Sequence, residues 1–142
     1  MKAIYLLDTN VVSEFAKVKP NAHTLERYYE NISRCAISAT VWQELIYGVE
    51  RMPKGKNRRT VENSLDAIRT NMEIIPYDSF AARICGELLA KCSASGTPSP
   101  IAASQIAATA IANNMILVTH NMHDFEILCK NSMLKTEDWW QM

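Results

Sequence analysis

Apolar and polar residues change period several times along the chain, and each change marks an element. Ala3–Leu7 is a short continuous apolar run, which fits a central parallel strand buried on both faces. Val11–Lys17 and Ala22–Glu30 read as helices with Pro20 between them, and Cys35–Ile37 as a second short strand. Thr40–Arg51 is helical, with Thr40 and Gln43 at the spacing of a capping box. Asn57–Asn71 is a polar, charged helix, Glu73–Pro76 a strand, and Asp78 the cap of a long helix reaching about Ser93. Gly96 to Pro100 is a loop. Its last two residues, Ser99-Pro100, have the form of an N-cap and first helical residue, opening a helix to about Asn113. Met115–Thr119 is a strand, Asn121 caps a short helix through Leu128, and Met133–Lys135 is a last, weak strand. Strands alternating with helices predict an α/β fold of three layers: a central, mainly parallel sheet of about five short strands, flanked by helices. In sheets of this kind ligands bind beyond the carboxyl ends of the strands.

Composition narrows the class. A chain of 142 residues, 48% of them apolar, suits one domain over 1–142 and excludes a disordered chain. The formal net charge is zero, so overall charge points to no nucleic-acid partner and any basic surface must be local. Cys35, Cys85, Cys92 and Cys129 form no CxxC pair and sit in apolar contexts, as buried free thiols of a reducing cytosol do. The apolar start ends at Asp8, too soon for a signal peptide. The longest charge-free stretch, from Cys92 to Asn121 apart from His120, holds too much Ser, Pro, Asn and Gln to span a membrane. A soluble cytoplasmic protein is expected.

Three acids draw attention. Asp8 directly follows the first strand, where an acid either caps the next helix or belongs to a site at the carboxyl edge. Glu44 lies among Val41, Leu45, Gly48 and Val49, the apolar stripe of its helix by i, i+4, i+7, i+8 spacing. A carboxylate on that face needs a metal ion or a buried Arg, unless it reaches back to water from the stripe's edge. Asp124 is the third residue of the helix capped by Asn121, a place the helix dipole favours, and it shares a sheet edge with Asp8. Carboxylates gathered in one pocket take up protons unless a cation holds them ionised. Oxygen ligands with few soft donors nearby point to Mg²⁺ or Mn²⁺. His23, His120 and His123 have no zinc-like spacing with the cysteines, and the last two read as surface residues. Such an acid cluster supports phosphodiester hydrolysis by a metal-activated water.

The motifs that carry these acids resemble a known family. Leu-Leu-Asp-Thr-Asn at 6–10, Ser-Ala-Thr-Val-Trp-Gln-Glu-Leu at 38–45, Pro-Tyr-Asp at 76–78, Ile-Ala-Ala-Thr-Ala at 106–110 and Val-Thr-His-Asn-Met-His-Asp-Phe at 118–125 are similar to PIN-domain toxins of the VapC and FitB kind. The match runs in order along nearly the whole chain, to Trp139-Trp140. The resemblance implies an endoribonuclease that places four acids around Mg²⁺ or Mn²⁺. Asp8, Glu44 and Asp124 match three of them, and Thr119 and Asn121 match polar residues beside the last. The remaining acid belongs three residues before Ile-Ala-Ala, where this chain has Ala103. Position 103 lies early in its helix, on one face with Ala107 and Ala110, so an acid there would meet the carboxyl edge and the helix N-terminus. An inactivating substitution and a naturally degenerate site both fit this departure. The resemblance further implies a co-expressed antitoxin whose tail fills the acidic pocket, and a toxin homodimer.

Arg51, Lys54, Lys56, Arg58 and Arg59 cluster after the Glu44 helix, and read either as a solvated helix start or as phosphate contacts for RNA. Trp42, Tyr47, Trp139 and Trp140 fit core or interface packing better than base stacking. The main rival is a phosphorelay receiver domain, with Asp8, Asp78, Thr119 and Lys135 in its strand-end roles. A PIN module that binds without cutting is another.

Overall fold

The computed structural model describes residues 2–140, so residues 1, 141 and 142 of the domain expected over 1–142 lie outside the described residues. Five short strands form its sheet: β1 (Tyr5–Leu7), β2 (Cys35–Ser38), β3 (Glu73–Ile75), β4 (Ile116–Val118) and β5 (Lys135–Glu137). Every pairing is parallel, in the order β3-β2-β1-β4-β5. Parallel neighbours need crossover helices, which cover both faces and demand apolar residues on both. Leu6, Leu7, Ile37, Leu117 and Val118 accordingly have no exposed surface. Burying each such side chain contributes about 1.5–3 kcal/mol before chain entropy is charged against it.

The helices are α1 (Thr9–Phe15), α2 (Ala22–Glu30), α3 (Ala39–Glu50), α4 (Lys56–Asn71), α5 (Ser79–Ala94), α6 (Ile101–Ala112) and α7 (Met122–Lys130), with a 3-10 turn at Ile32–Arg34. Helix α6 is alanine-rich and buried nearly all round, from Ala103 to Ala110 except Gln105. Alanine favours the helix and its small side chain allows close approach to the sheet. At the other end of the chain, Trp139 is fully buried edge-on against Tyr5, with ring centroids 5.3 Å apart. Its indole N–H donates to Glu137 Oε1 at 3.0 Å, which fixes the last described segment to the sheet.

Several local expectations need correction. Helix α1 starts at Thr9, directly after Asp8, not near Val11. Helix α3 is capped by Ser38, whose Oγ accepts from the Val41 N–H at 3.1 Å. Thr40 therefore lies inside the helix, and its hydroxyl turns to Gln105 Oε1 at 3.3 Å instead of forming a capping box with Gln43. Val41 and Val49 of the expected stripe are buried, but Leu45 is half-buried and Gly48 exposed. Pro100, not Ser99, is the cap residue of α6, and Ser99 Oγ pairs with Ser104 Oγ at 2.7 Å. The last strand is Lys135–Glu137 and not Met133–Lys135, because Lys135 registers opposite Ile116 and Glu137 opposite Val118. As an edge strand it tolerates polar residues, while Met133 is left 88% exposed. The cysteines are free as expected, although Cys129 is only half-buried. No helix among the described residues is long and apolar enough to cross a membrane.

Candidate active site

The strand order places a site before any side chain is considered. From β1 the chain builds outward to β2 and β3, then returns to lay β4 on the other side of β1. Loops leaving β1 and β4 thus diverge, opening a crevice at their carboxyl ends where α/β sheets bind ligands. Asp8 follows β1 and Thr119 follows β4.

Asp8 is 6% exposed. Its Oδ1 caps α1 by accepting from the Thr9 N–H at 2.8 Å. Its Oδ2 accepts from the Thr119 hydroxyl at 2.8 Å and from Asn10 Nδ2 at 3.1 Å. All three donors are neutral. Burial therefore dominates and raises the Asp8 pKa above the ordinary carboxylate value, with the nearby Glu44 charge pushing the same way. Glu44 comes from the second turn of α3 and is half-buried, and its Oε1 accepts from the Thr9 hydroxyl at 2.5 Å. The partner its position requires is this hydroxyl, not an arginine. Asp124, in the first turn of α7, accepts from Asn121 Nδ2 at 2.6 Å. Asn121 thus spends its side chain on Asp124, where the sequence reading has it capping the helix.

Asp8, Glu44, Asp124 and Ala103 line one cavity of about 490 Å³, with Thr9, Asn10 and Asn121 supplying further polar atoms and Ile106 and Phe125 an apolar floor. Ala103 is the third residue of α6 and is 8% exposed. That first turn carries no acid and no side-chain cap. Thr119 is fully buried behind Asp8 and does not line the cavity. The donor set suits an oxygen-seeking divalent ion in chemical type, since its atoms are carboxylate, amide and hydroxyl oxygens with no sulfur among them. In number it falls short: no three His, Cys, Asp or Glu side chains among the described residues meet in a ready cation cage.

The basic cluster is separate from this cavity. Lys54, Arg58 and Arg59 line their own hollow of about 270 Å³ at the start of α4. Arg58 is committed to structure: Nη2 reaches Glu50 Oε2 at 2.7 Å, Nε reaches Glu62 Oε2 at 3.4 Å, and Nη1 donates to the Met52 carbonyl at 3.1 Å. Gly55 turns this loop with a φ of +153°, which side chains rarely adopt. Arg51 lies over the Tyr47 ring at 5.1 Å. The receiver reading fails on placement. Asp78 is only the cap of α5, accepting from the Ala81 N–H at 2.9 Å, and it follows edge strand β3. Lys135 opens the opposite edge strand beside Ile116, at the amino end of the sheet.

Two features escape the sequence reading. Asn10 bridges Asp8, Thr119 and the His120 backbone, although only its place two residues after Asp8 could have signalled this. The second is a hollow of about 740 Å³, an apolar groove between α1, α2, α3 and α4, walled by Phe15, Tyr28, Leu45, Leu65, Ile68 and Met72.

Residues 5–130 match the family model described as PIN domain. This chain belongs to the PIN-domain family. A curated relative, the tRNA(fMet)-specific endonuclease VapC of Salmonella typhimurium, is 33% identical over 95% of this chain and 97% of its own. Among solved structures, DNA-bound VapBC from Salmonella typhimurium superposes with a TM-score of 0.84 at 31% identity, over 96% of this chain and 98% of that one. VapBC2 of Rickettsia felis, bound to a promoter DNA fragment, gives a TM-score of 0.82 at 28% identity, over 96% and 98%. The parallel five-stranded sheet flanked by helices is the PIN fold, and the similarity extends across essentially the whole described PIN domain.

Proposed function

We propose that this PIN domain is a divalent-metal-dependent endoribonuclease toxin, and that Ala103 leaves it impaired. The observation that carries the reading is the cavity at the strand-order switch, where Asp8, Glu44, Asp124 and position 103 face one space. The VapC relatives support the substrate class, being named as ribonucleases and tRNA endonucleases. Asp8, Glu44 and Asp124 line the space an ion would occupy, and would have to draw together to hold it. Mg²⁺ or Mn²⁺, when bound, would supply a water of lowered pKa and offset charge on the phosphoryl group. The protein's part is placement. Thr119 and Asn10 fix the Asp8 carboxylate, Thr9 fixes Glu44, and Asn121 fixes Asp124. Ala103 offers no side-chain oxygen, and affinity for a hard cation follows the charge and number of its ligands.

An acidic cavity repels RNA, so phosphate contacts must come from elsewhere. Arg51, Lys54, Lys56 and Arg59 are the candidates; Arg58, expected among them, is occupied by Glu50 and Glu62. An antitoxin partner is supported by the toxin–antitoxin complexes among the structural neighbours, and the apolar groove suits an amphipathic helix from it. The antitoxin's tail would then reach the acids with a cationic side chain. Self-association as a homodimer belongs to the same proposal, as does a cytoplasmic setting.

The test is the Ala103→Asp variant, assayed for RNA cleavage with Mg²⁺ or Mn²⁺ against an Asp8→Ala control. We expect cleavage to rise by about a hundredfold or more, since even residues that only support metal ligands are worth 10–100-fold. Equal rates from the two forms would remove position 103 from the site. A variant that stays inert while binding RNA or antitoxin would favour a PIN module that binds without cutting.

A further inference from the structure

Next in sequence to a residue of the acidic cavity, a half-exposed imidazole is held by a ring stack and a carboxylate. His120 lies between Thr119, which bonds Asp8, and Asn121, which lines the cavity. Its ring is stacked on Trp140, with centroids 4.3 Å apart and planes 16° from parallel. Its Nδ1 faces both carboxylate oxygens of Asp138, at 3.1 and 3.2 Å. Asp138 is itself largely buried, its side chain 10% exposed, and Oδ1 also accepts from the Trp140 N–H at 2.9 Å. One carboxylate thus holds the His120 ring and the Trp140 backbone amide. The backbone joins in: the His120 N–H donates to Asn10 Oδ1 at 3.1 Å, and Asn10 in turn donates to Asp8. Yet 52% of the His120 side chain remains exposed.

We propose that the His120–Trp140 pair is a base-stacking platform, on which an unpaired nucleobase of the RNA next to the cleaved phosphate rests. This deepens the nuclease reading and depends on it. Single-stranded and loop RNA is held by aromatic faces that need no particular sequence. A loose exposed histidine loses rotamer freedom when a base stacks on it. Here Asp138 and Trp140 have already fixed the ring, so stacking costs less entropy. Two hydrogen bonds link the His120 backbone through Asn10 to Asp8, so the residue that carries the platform is tied to the acid site. The ring also exerts a coulombic pull on Glu14, while the backbone bond to Asn10 does not depend on the His120 side chain.

That separation makes the experiment clean. The chain with Ala103 should turn over RNA slowly, so binding can be read directly from fluorescence anisotropy of a labelled single-stranded oligoribonucleotide. We expect His120→Ala to weaken binding by about tenfold, the lower part of the range for losing one base stack. His120→Phe should retain most of the affinity and His120→Lys should not. In the Ala103→Asp background, His120→Ala should raise KM and leave kcat nearly unchanged. Equal binding by His120→Ala and its parent would overturn the platform while leaving the nuclease reading intact. Affinity kept by Lys and lost by Phe would overturn it in favour of a phosphate contact. A parent chain that binds no RNA would overturn both readings.

Discussion

Glu14 and Asp8 are two buried acids at the two ends of one helix, and they are treated in opposite ways. Glu14, 5% exposed, meets Lys17 Nζ at 2.7 Å and the Asn21 N–H at 2.7 Å. The Lys17 and Asn21 contacts hold its pKa below the ordinary value. Asp8, 6% exposed, has hydrogen bonds but no cation, and a second carboxylate nearby; its pKa is raised. The first acid is satisfied by the fold and closes the loop from α1 to α2. The second is held by neutral donors alone, and its burial beside a second carboxylate raises its pKa.

The difference can be broken from either side. Glu14→Ala should cost about 1.5–3 kcal/mol, the usual worth of hydrogen bonds to a charged group, and urea denaturation at neutral pH would read it. The pH dependence has a definite sign: the stability from Glu14 is present above the ordinary Glu pKa and is lost as pH falls through its depressed folded value. An unchanged midpoint would show that the Glu14 contacts are incidental. Asp8→Asn should have a smaller effect of opposite sign, raising the melting temperature of the metal-free protein at neutral pH. Above its raised pKa the Asp8 charge costs stability, and that cost disappears as pH falls through the folded value toward the ordinary one. The gap in melting temperature between variant and parent should therefore narrow on acidification. A variant that is less stable than the parent at every pH would mean that Asp8 is as satisfied as Glu14.

Glu14 is not signalled by the sequence, whereas the acids of the cavity are legible there for reasons that differ by residue. Asp8 ends an apolar run, so its place at the carboxyl edge follows from the strand it terminates. Asp124, in the helix after the Met115–Thr119 run, reads alone as a first-turn acid and gains meaning only beside Asp8 at the same sheet edge. Glu44 stands out by helical spacing, but its partner does not, because Thr9 lies 35 residues away. Asn10 and His120 are 110 residues apart, and no local pattern announces their bond. The Trp140 stack is hidden for the same reason, since core or interface packing accounts for that residue in the sequence. The apolar groove is invisible because four helices each contribute only a few residues to it, and no single stripe reveals the whole. The misplaced last strand shows the limit of periodicity itself: Met133 and Leu134 are apolar, but the ladder selects Lys135–Glu137 through β4.

The central claim is that the cavity is a cation site lacking one carboxylate, at position 103. Its most direct measurement is the melting temperature of the parent and of the Ala103→Asp variant, each titrated with Mn²⁺ after chelation. A ligand that binds only the native state raises stability with its concentration, by about 2.7 kcal/mol at a hundred times its Kd. The account predicts a variant no more stable than the parent without metal, and a rise on adding Mn²⁺ that is large in the variant and slight in the parent. Equal rises in both forms, or none in either, would contradict it.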